Sequence, residues 1–153
     1  MVRREWNSPP GRKRVDRVTD SVAARDPAPR FAAIGAWLGL IGVAAGAFGA
    51  HALRTRLDAA HLQIFETAVR YQMIHGLALL LAGFTLRPSR SRGAAVALFA
   101  SGTLVFSGSL YGLALGAPRW VGVLTPFGGL GLMGGWLALA LSYGVAGRRP
   151  NRP

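Results

Sequence analysis

The chain has 153 residues, of which 51% are hydrophobic, and its 18 Lys and Arg against 6 Asp and Glu give a formal net charge of +12. This length allows one domain, and the lack of cysteine excludes disulfides, thiolate metal sites, iron–sulfur clusters and cysteine nucleophiles. Residues 1–30 are polar and charged, whereas residues 31–146 contain four apolar stretches of about 20 residues or more, the length that crosses a bilayer.

The first 30 residues predict a disordered, basic cytoplasmic tail. They contain eight Lys and Arg, four acidic residues and four prolines, with no repeated apolar face. We expect Pro27 and Pro29 to block a helix just before the first apolar stretch. Trp6 is the only aromatic residue of this tail, so its charge favours attraction to anionic lipid headgroups over nucleic-acid binding.

Residues 31–50 form the first predicted transmembrane helix, because they carry no charged residue. Ala50-His51-Ala52 has the small-x-small form of a signal-peptide cleavage site. The apolar run is, however, longer than the core of a typical signal peptide, and three further stretches follow it. We therefore interpret it as a retained membrane helix.

The remaining apolar stretches predict three more membrane helices. The second covers about residues 62–86, but only 74–86 is strongly apolar, so its earlier, polar turns must also enter the membrane or its interface. The third covers 93–116 and the fourth about 120–146, and residues 117–120 form a tight turn between them. A short basic tail follows as the last seven residues.

The distribution of Lys and Arg predicts the orientation of these helices. The N-terminal tail carries eight, while residues 87–92 and the C-terminal tail carry three each. The opposite side has only Arg54, Arg56 and Arg119, and Arg70 lies within the second helix. This asymmetry predicts four spans with the N and C termini both cytoplasmic.

Small residues recur at four-residue spacing, the pattern by which membrane helices approach closely. The first helix has two such ridges, Gly35 with Gly39 and then Gly42, Gly46 and Ala50; the third has Gly108, Gly112 and Gly116, and the fourth has Gly131 and Gly135, with Gly128 one turn before them. We interpret them as helix-packing residues of an all-α, antiparallel four-helix bundle. Pro126 either kinks the fourth helix or lies in its first turn after a Thr125 cap.

The second helix carries the main candidate functional residues. Glu66 and Arg70 share a face one turn apart. At 100° per residue, four more polar side chains extend this surface over half of the helix circumference, and one further polar side chain points away from it. The residues extending the surface are Gln63, Thr67, Tyr71 and His75, and the one turned away is Gln72. Glu66 should lie near the outer surface and His75 near the bilayer midplane.

Ionisable residues at membrane depth suggest function, but a structural role is the favoured interpretation here. Glu66 and Arg70 would neutralise each other. His75 would stay neutral and bond a serine of the third helix, for example Ser107. A solute or proton site is the alternative.

Metal and haem sites are weaker hypotheses. His51, His61 and His75 lie at different depths, which disfavours axial ligation of haem. A histidine metal site at the outer mouth would combine His51 and His61 with Asp58 or Glu66. We predict no metal and no cofactor.

Enzymatic motifs are also lacking. Ser107-Gly108-Ser109 does not complete a Gly-x-Ser-x-Gly nucleophile elbow. The glycine-rich runs lie inside predicted membrane helices, whereas a nucleotide-binding loop joins a strand to a helix. The sequence therefore predicts a protein that is not an enzyme.

Four ordered blocks resemble a known family of small four-helix membrane proteins, domain of unknown function 423, whose eukaryotic relatives are called transmembrane protein 256 homologues. They are GAFGAH at 46–51, FETAVRYQMIH at 65–75, FSGSLY at 106–111 and TPFGG at 125–129. The resemblance covers about residues 31–146. It implies a location in the bacterial inner membrane and adds no mechanism.

The resemblance also singles out positions on the first two helices. They are His51, Glu66, Arg70, Tyr71, Gln72 and His75. The chain departs from the family pattern at Ala52, where glycine is usual, at Ile74, where an aromatic residue is usual, and at Gly76, where alanine is usual.

Three functional hypotheses follow from the sequence. The leading one is a non-enzymatic inner-membrane protein whose molecular role the sequence does not name. The second is a small oligomeric transporter or proton-coupled carrier that uses Glu66, Arg70 and His75, which an aqueous pocket reaching His75 would favour. The third is an accessory subunit or lipid-binding scaffold. The expected partners are the bilayer and either a second copy or another membrane protein, and not nucleic acid.

Overall fold

The computed structural model describes the backbone of residues 28–85 and 89–146. These ranges form helices joined by short turns: α1 (Ala28–Phe48) with a π-helical turn (Gly49–Leu53), α2 (Ala59–Thr85), α3 (Arg90–Ala114), a 3₁₀ turn (Arg119–Val123) and α4 (Leu124–Ala146). The all-α prediction is confirmed for this part of the chain. Most of the predicted N-terminal tail, the residues between α2 and Ser89, and the C-terminal tail lie outside the described residues.

The first two helices begin earlier than the sequence predicts. Pro29 lies in the first turn of α1, so the expectation that it blocks a helix there is wrong. A first turn tolerates proline because its N–H groups have no partner within the helix. α2 begins at Ala59 because the Asp58 carboxylate caps it, accepting a 2.8 Å hydrogen bond from the backbone N–H of His61.

Caps also set both ends of α3. The Ser89 hydroxyl accepts the backbone N–H of Arg92 at 3.1 Å, which starts α3 at Arg90. Past the end of α3, Gly116 has a φ of 93° and lets the chain turn back. Pro126 is the third residue of α4, so the first-turn placement is confirmed. Thr125 is inside that helix and not its cap.

Each helix packs against the next one along the chain. Among the described residues, no other pair of the four long helices makes an extended contact. A Cβ on Gly35 would meet Gly76 of α2, and one on Gly49 would meet the ring of Phe65. α1 and α2 therefore run in opposite directions.

The glycines predicted on α4 do pack against α3, but on α3 the contact lies at Gly102 and not at the predicted Gly108. A Cβ on Gly102 would lie 2.9 Å from the backbone nitrogen of Leu132, and one on Gly128 would collide with the backbone of Phe106. A Cβ on Gly108 would meet nothing within 4 Å. Gly108 is six residues beyond Gly102 and thus about 240° around the helix, on an exposed side.

Within residues 28–85 and 89–146, three stretches are long and apolar enough to cross a membrane. They cover most of α1, all of α3 and most of α4: Arg30–Leu53, Arg90–Ala114 and Arg119–Tyr143. α2 falls short of that composition, although it is the longest helix at 27 residues. Large apolar side chains cover the outside of the three apolar helices, among them Trp37, Leu104, Phe127 and Met133. An outer surface of this kind is stable against lipid and not against water.

Candidate functional site: a polar centre and two lateral grooves

Gln72 joins three helices from the interior of the molecule. Its side chain is 5% exposed, and its Nε2 donates a 2.8 Å hydrogen bond to the backbone carbonyl of Leu38 in α1. The hydroxyl of Tyr111 in α3 donates to its Oε1 at 3.0 Å. The amide is thus satisfied at both ends. Sequence reasoning did not identify Tyr111, because no pattern within α3 marks a hydrogen bond to α2.

His75 connects α2 to α4 in a similar way. Its Nδ1 lies 2.7 Å from the carbonyl oxygen of Tyr71, which can only accept, so this nitrogen carries the proton. Its Nε2 accepts a 3.2 Å hydrogen bond from the indole N–H of Trp136. Both bonds fit the neutral imidazole, and a proton on Nε2 would face another donor.

The expectation that His75 bonds a serine such as Ser107 is wrong. The part of α3 opposite the imidazole is Phe99, whose ring centroid lies 5.8 Å away. Trp136 then reaches His75 past the edge of this ring, with its own centroid 5.1 Å from that of Phe99. A tryptophan side chain is much longer than a serine side chain, so the distance between the helices decides which of them can bond His75. The sequence does not contain that distance.

Two hydroxyls of α3 are buried without a hydrogen-bond partner, those of Thr103 and Ser107. These two residues are one turn apart, and Tyr111 follows one turn later on the same face of α3. This face is turned toward α2, because Tyr111 bonds Gln72 there. The polar side of α3 therefore extends the buried polar surface of Gln72.

A groove of about 600 Å³ opens between α2 and α4. Aromatic rings form part of its wall, with Tyr71 tilted against Phe106 at 4.4 Å between centroids. The lining includes no Asp, Glu, Lys or Arg; it consists of Tyr71, Ile74, His75, Phe106, Pro126, Gly129, Leu130, Leu132, Met133 and Trp136. We name it the α2–α4 groove. It reaches His75, but its walls are apolar and not those of an aqueous pocket.

The predicted ion pair between Glu66 and Arg70 is wrong. Both side chains are exposed on α2, and no ion pair joins them in the part of the chain that the structure describes. Their shared face is exposed at the edge of the contact between α1 and α2. An exposed i,i+4 pair gains little attraction and loses side-chain entropy. Instead, both line a second groove of about 280 Å³ with Gly46, Gly49, Phe65 and Val69, which we name the α1–α2 groove.

The residues of the hypothetical metal site do not gather. His61 turns back to Asp58, with its Nδ1 2.8 Å from one carboxylate oxygen, and His51 is exposed in the π-helical turn. The described ranges contain no group of three metal-ligating side chains. The hydrogen bond from the backbone N–H of His61, followed by that from its ring, holds the pKa of Asp58 below its usual value.

The six candidate residues thus separate by environment. Gln72 and His75 are buried and hydrogen-bonded, and Tyr71 lies at the mouth of the α2–α4 groove with 38% of its surface exposed. The others, His51, Glu66 and Arg70, are exposed. Periodicity places residues correctly around one helix, but only the neighbouring helices decide which of them are covered.

Comparison with known proteins shows that this chain is similar in sequence to membrane proteins of bacteria. The model of a family described as "Protein of unknown function (DUF423)" matches residues 45–129. A UPF0382 membrane protein of Staphylococcus haemolyticus is 42% identical over 113 residues, which cover 73% of this chain and 93% of that protein. The UPF0382 inner membrane protein YgdD of Escherichia coli is 40% identical over 110 residues, covering 69% and 80%.

A third relative has a lower identity over a similar length. The UPF0382 membrane protein YwdK of Bacillus subtilis is 33% identical over 115 residues, which cover 73% of this chain and 94% of that protein. No solved structure matches the chain.

Proposed function

Because this chain belongs to the DUF423 family of bacterial membrane proteins, we propose that it is a non-enzymatic lipid-binding scaffold of the inner membrane. In this proposal the chain crosses the bilayer four times as an antiparallel bundle with both termini in the cytoplasm. Its ligand is an acyl or isoprenoid chain of a membrane lipid, held laterally in the α2–α4 groove.

Four spans are supported by the position of α2. Its 27 residues correspond to about 40 Å, more than the roughly 30 Å of the hydrocarbon core. It packs between α1 and α3, which are both apolar enough to cross. Its two most deeply placed polar side chains, Gln72 and His75, have partners on other helices, which lowers their cost in lipid.

The α2–α4 groove is the observation that carries the proposal. Its volume of about 600 Å³ lies within the 300–1,000 Å³ typical of small-molecule sites. Its walls have no charged side chain, and the two nitrogens of His75 are already hydrogen-bonded. A ligand in this groove would be stabilised by apolar contacts and would find no ionic partner. These properties favour a hydrocarbon chain as the ligand.

The same observations argue against the carrier hypothesis as the leading function. A carrier that uses His75 needs a wet path and a nitrogen free to exchange a proton. Here the approach to the imidazole is apolar, and Glu66 and Arg70 face away from it on an exposed side of α2.

The test is photocrosslinking in proteoliposomes with a phospholipid that carries a diazirine in one acyl chain. We expect adducts on groove residues, chiefly Leu130 and Met133. Gly129→Leu should abolish them, because a Cβ at Gly129 meets only the ring of Phe106, at 3.7 Å, and the side chain fills the groove without a backbone collision. Gly108→Leu is the matched control, since nothing lies within 4 Å of its Cβ.

Adducts spread evenly over all exposed helix faces would contradict the proposal. So would a crosslink in native membranes that joins the groove to a second copy or to another protein in place of lipid. Turnover of any substrate by the purified protein would contradict its non-enzymatic part.

A further inference from the structure

The α1–α2 groove combines opposite charges with an uncharged floor. Gly46 and Gly49 have no side chains, which leaves a depression beside α2. Val69 and Phe65 form its apolar wall, and a Cβ on Gly49 would lie 3.1 Å from the Phe65 ring. An apolar depression thus lies beside a carboxylate and a guanidinium.

The two charges are placed one turn apart on the same face of α2, about 5–6 Å between their Cβ atoms. Both side chains are exposed, and within the described ranges neither Glu66 nor Arg70 has a hydrogen bond or ion pair with another side chain. Each therefore remains open to a group of opposite charge from outside the chain.

In the four-span topology proposed above, on which this step rests, their depth matches the headgroup boundary of the outer leaflet. If Thr85 marks the cytoplasmic end of α2, Glu66 lies about 29 Å away along the helix, close to the roughly 30 Å thickness of the hydrocarbon core. Arg70 lies about 6 Å deeper, within reach of the boundary for a long side chain.

We propose that the α1–α2 groove binds a phospholipid with a phosphoethanolamine headgroup, whose phosphate pairs with Arg70 and whose primary ammonium pairs with Glu66. Guanidinium and phosphate form strong charge-assisted hydrogen bonds, and a primary ammonium donates to a carboxylate. One acyl chain lies against Val69 and the two glycines. This site is on a different side of α2 from the α2–α4 groove and does not depend on it.

Charge complementarity selects this lipid over others. An anionic lipid without an ammonium group would bring its negative charge close to the Glu66 carboxylate and would leave that carboxylate without a partner. A quaternary ammonium lacks the N–H donors that a carboxylate accepts. A free fatty acid would satisfy Arg70 alone.

The experiment is native mass spectrometry of the full-length protein, released from detergent micelles that contain equal amounts of phosphatidylethanolamine, phosphatidylcholine and phosphatidylglycerol. The wild type should retain phosphatidylethanolamine preferentially. Glu66→Gln should reduce its preference over phosphatidylcholine by about tenfold, the effect of one charge-assisted hydrogen bond. Arg70→Gln should lower the retention of all three lipids.

Arg56→Gln is the matched control, because it removes one exposed arginine from the same end of the molecule without touching the groove. Circular dichroism melting of every variant establishes that it is folded. Identical lipid profiles for the wild type and both groove variants would overturn the proposal, as would equal losses in Arg56→Gln. Gly129→Leu should leave this profile unchanged, which separates this site from the α2–α4 groove.

Discussion

The hydroxyl of Tyr111 donates to the side-chain oxygen of Gln72 at 3.0 Å, while the nitrogen of the same amide donates to a backbone carbonyl of α1. One buried side chain therefore fixes the position of α2 relative to both helices that flank it. Apolar side chains gain no free energy by moving from lipid into a contact between helices. Hydrogen bonds such as these and close packing therefore stabilise the association of membrane helices.

Tyr111→Phe and Gln72→Met should show energetic coupling. We expect each to destabilise the protein and the pair to destabilise it by less than the sum, with a coupling energy of about 0.6–1.7 kcal/mol, the range measured for hydrogen bonds between membrane helices. Unfolding by denaturing detergent in mixed micelles measures it. Gln63→Met, at an exposed glutamine of the same helix, is the control and should have no coupling to Tyr111→Phe.

Gly128→Ala should destabilise the protein, and Gly108→Ala should not. The added methyl at Gly128 collides with the backbone of Phe106, so we expect a loss of about 1–3 kcal/mol. At Gly108 nothing is near, and the higher helix propensity of alanine should leave stability unchanged or raise it by up to about 1 kcal/mol. The same unfolding assay compares them. Equal effects would mean that α3 and α4 do not pack as described.

These glycines show what the sequence can and cannot predict. Small-residue spacing correctly indicated close helix packing, yet Gly102, and not Gly108, meets α4. Four-residue spacing marks several candidate faces of a helix, and only the partner decides which one is used. His75 and Glu66 show the same limit, because one is covered by Trp136 and the other by nothing in the described chain.

The start of α2 should respond to acid through Asp58. Its pKa lies below the ordinary 3.8, because the carboxylate accepts hydrogen bonds from His61. The stabilisation by the ionised cap is therefore present above pH 3.8 and is lost as the pH falls through the lower, folded-state value. Asp58→Asn keeps a capping oxygen but should remove this acid-dependent step from the melting temperature. An unchanged acid dependence in this variant would assign the step to another group.

Single cysteines can establish the number of spans, because the chain has none of its own. With four spans, a membrane-impermeant maleimide added to intact spheroplasts should label Thr55→Cys and Arg119→Cys, and should label Ser91→Cys only after lysis. If α2 did not cross, residues 55 and 91 would lie on the same side and label together. Labelling with a permeant maleimide controls for reactivity.

Proteoliposomes with a trapped pH-sensitive dye should show no proton flux, either for the wild type or for Glu66→Gln. The reason is that His75 has both nitrogens in hydrogen bonds and the groove that reaches it is apolar. A protonophore added at the end verifies that a gradient was present. Flux in the wild type that Glu66→Gln abolishes would restore the carrier hypothesis.

The polar composition of α2 has a consequence for biosynthesis. The chain is made from its N terminus, so the carbonyl of Leu38 exists before Gln72 emerges, whereas Tyr111 follows 39 residues later and the Trp136 partner of His75 follows 61 residues later. If the translocon released helices one at a time, α2 would enter lipid before Gln72 and His75 had all their hydrogen-bond partners. We therefore expect ribosome-bound chains that end before α3 to hold α2 at the translocon, and chains that extend through α4 to release all four helices together.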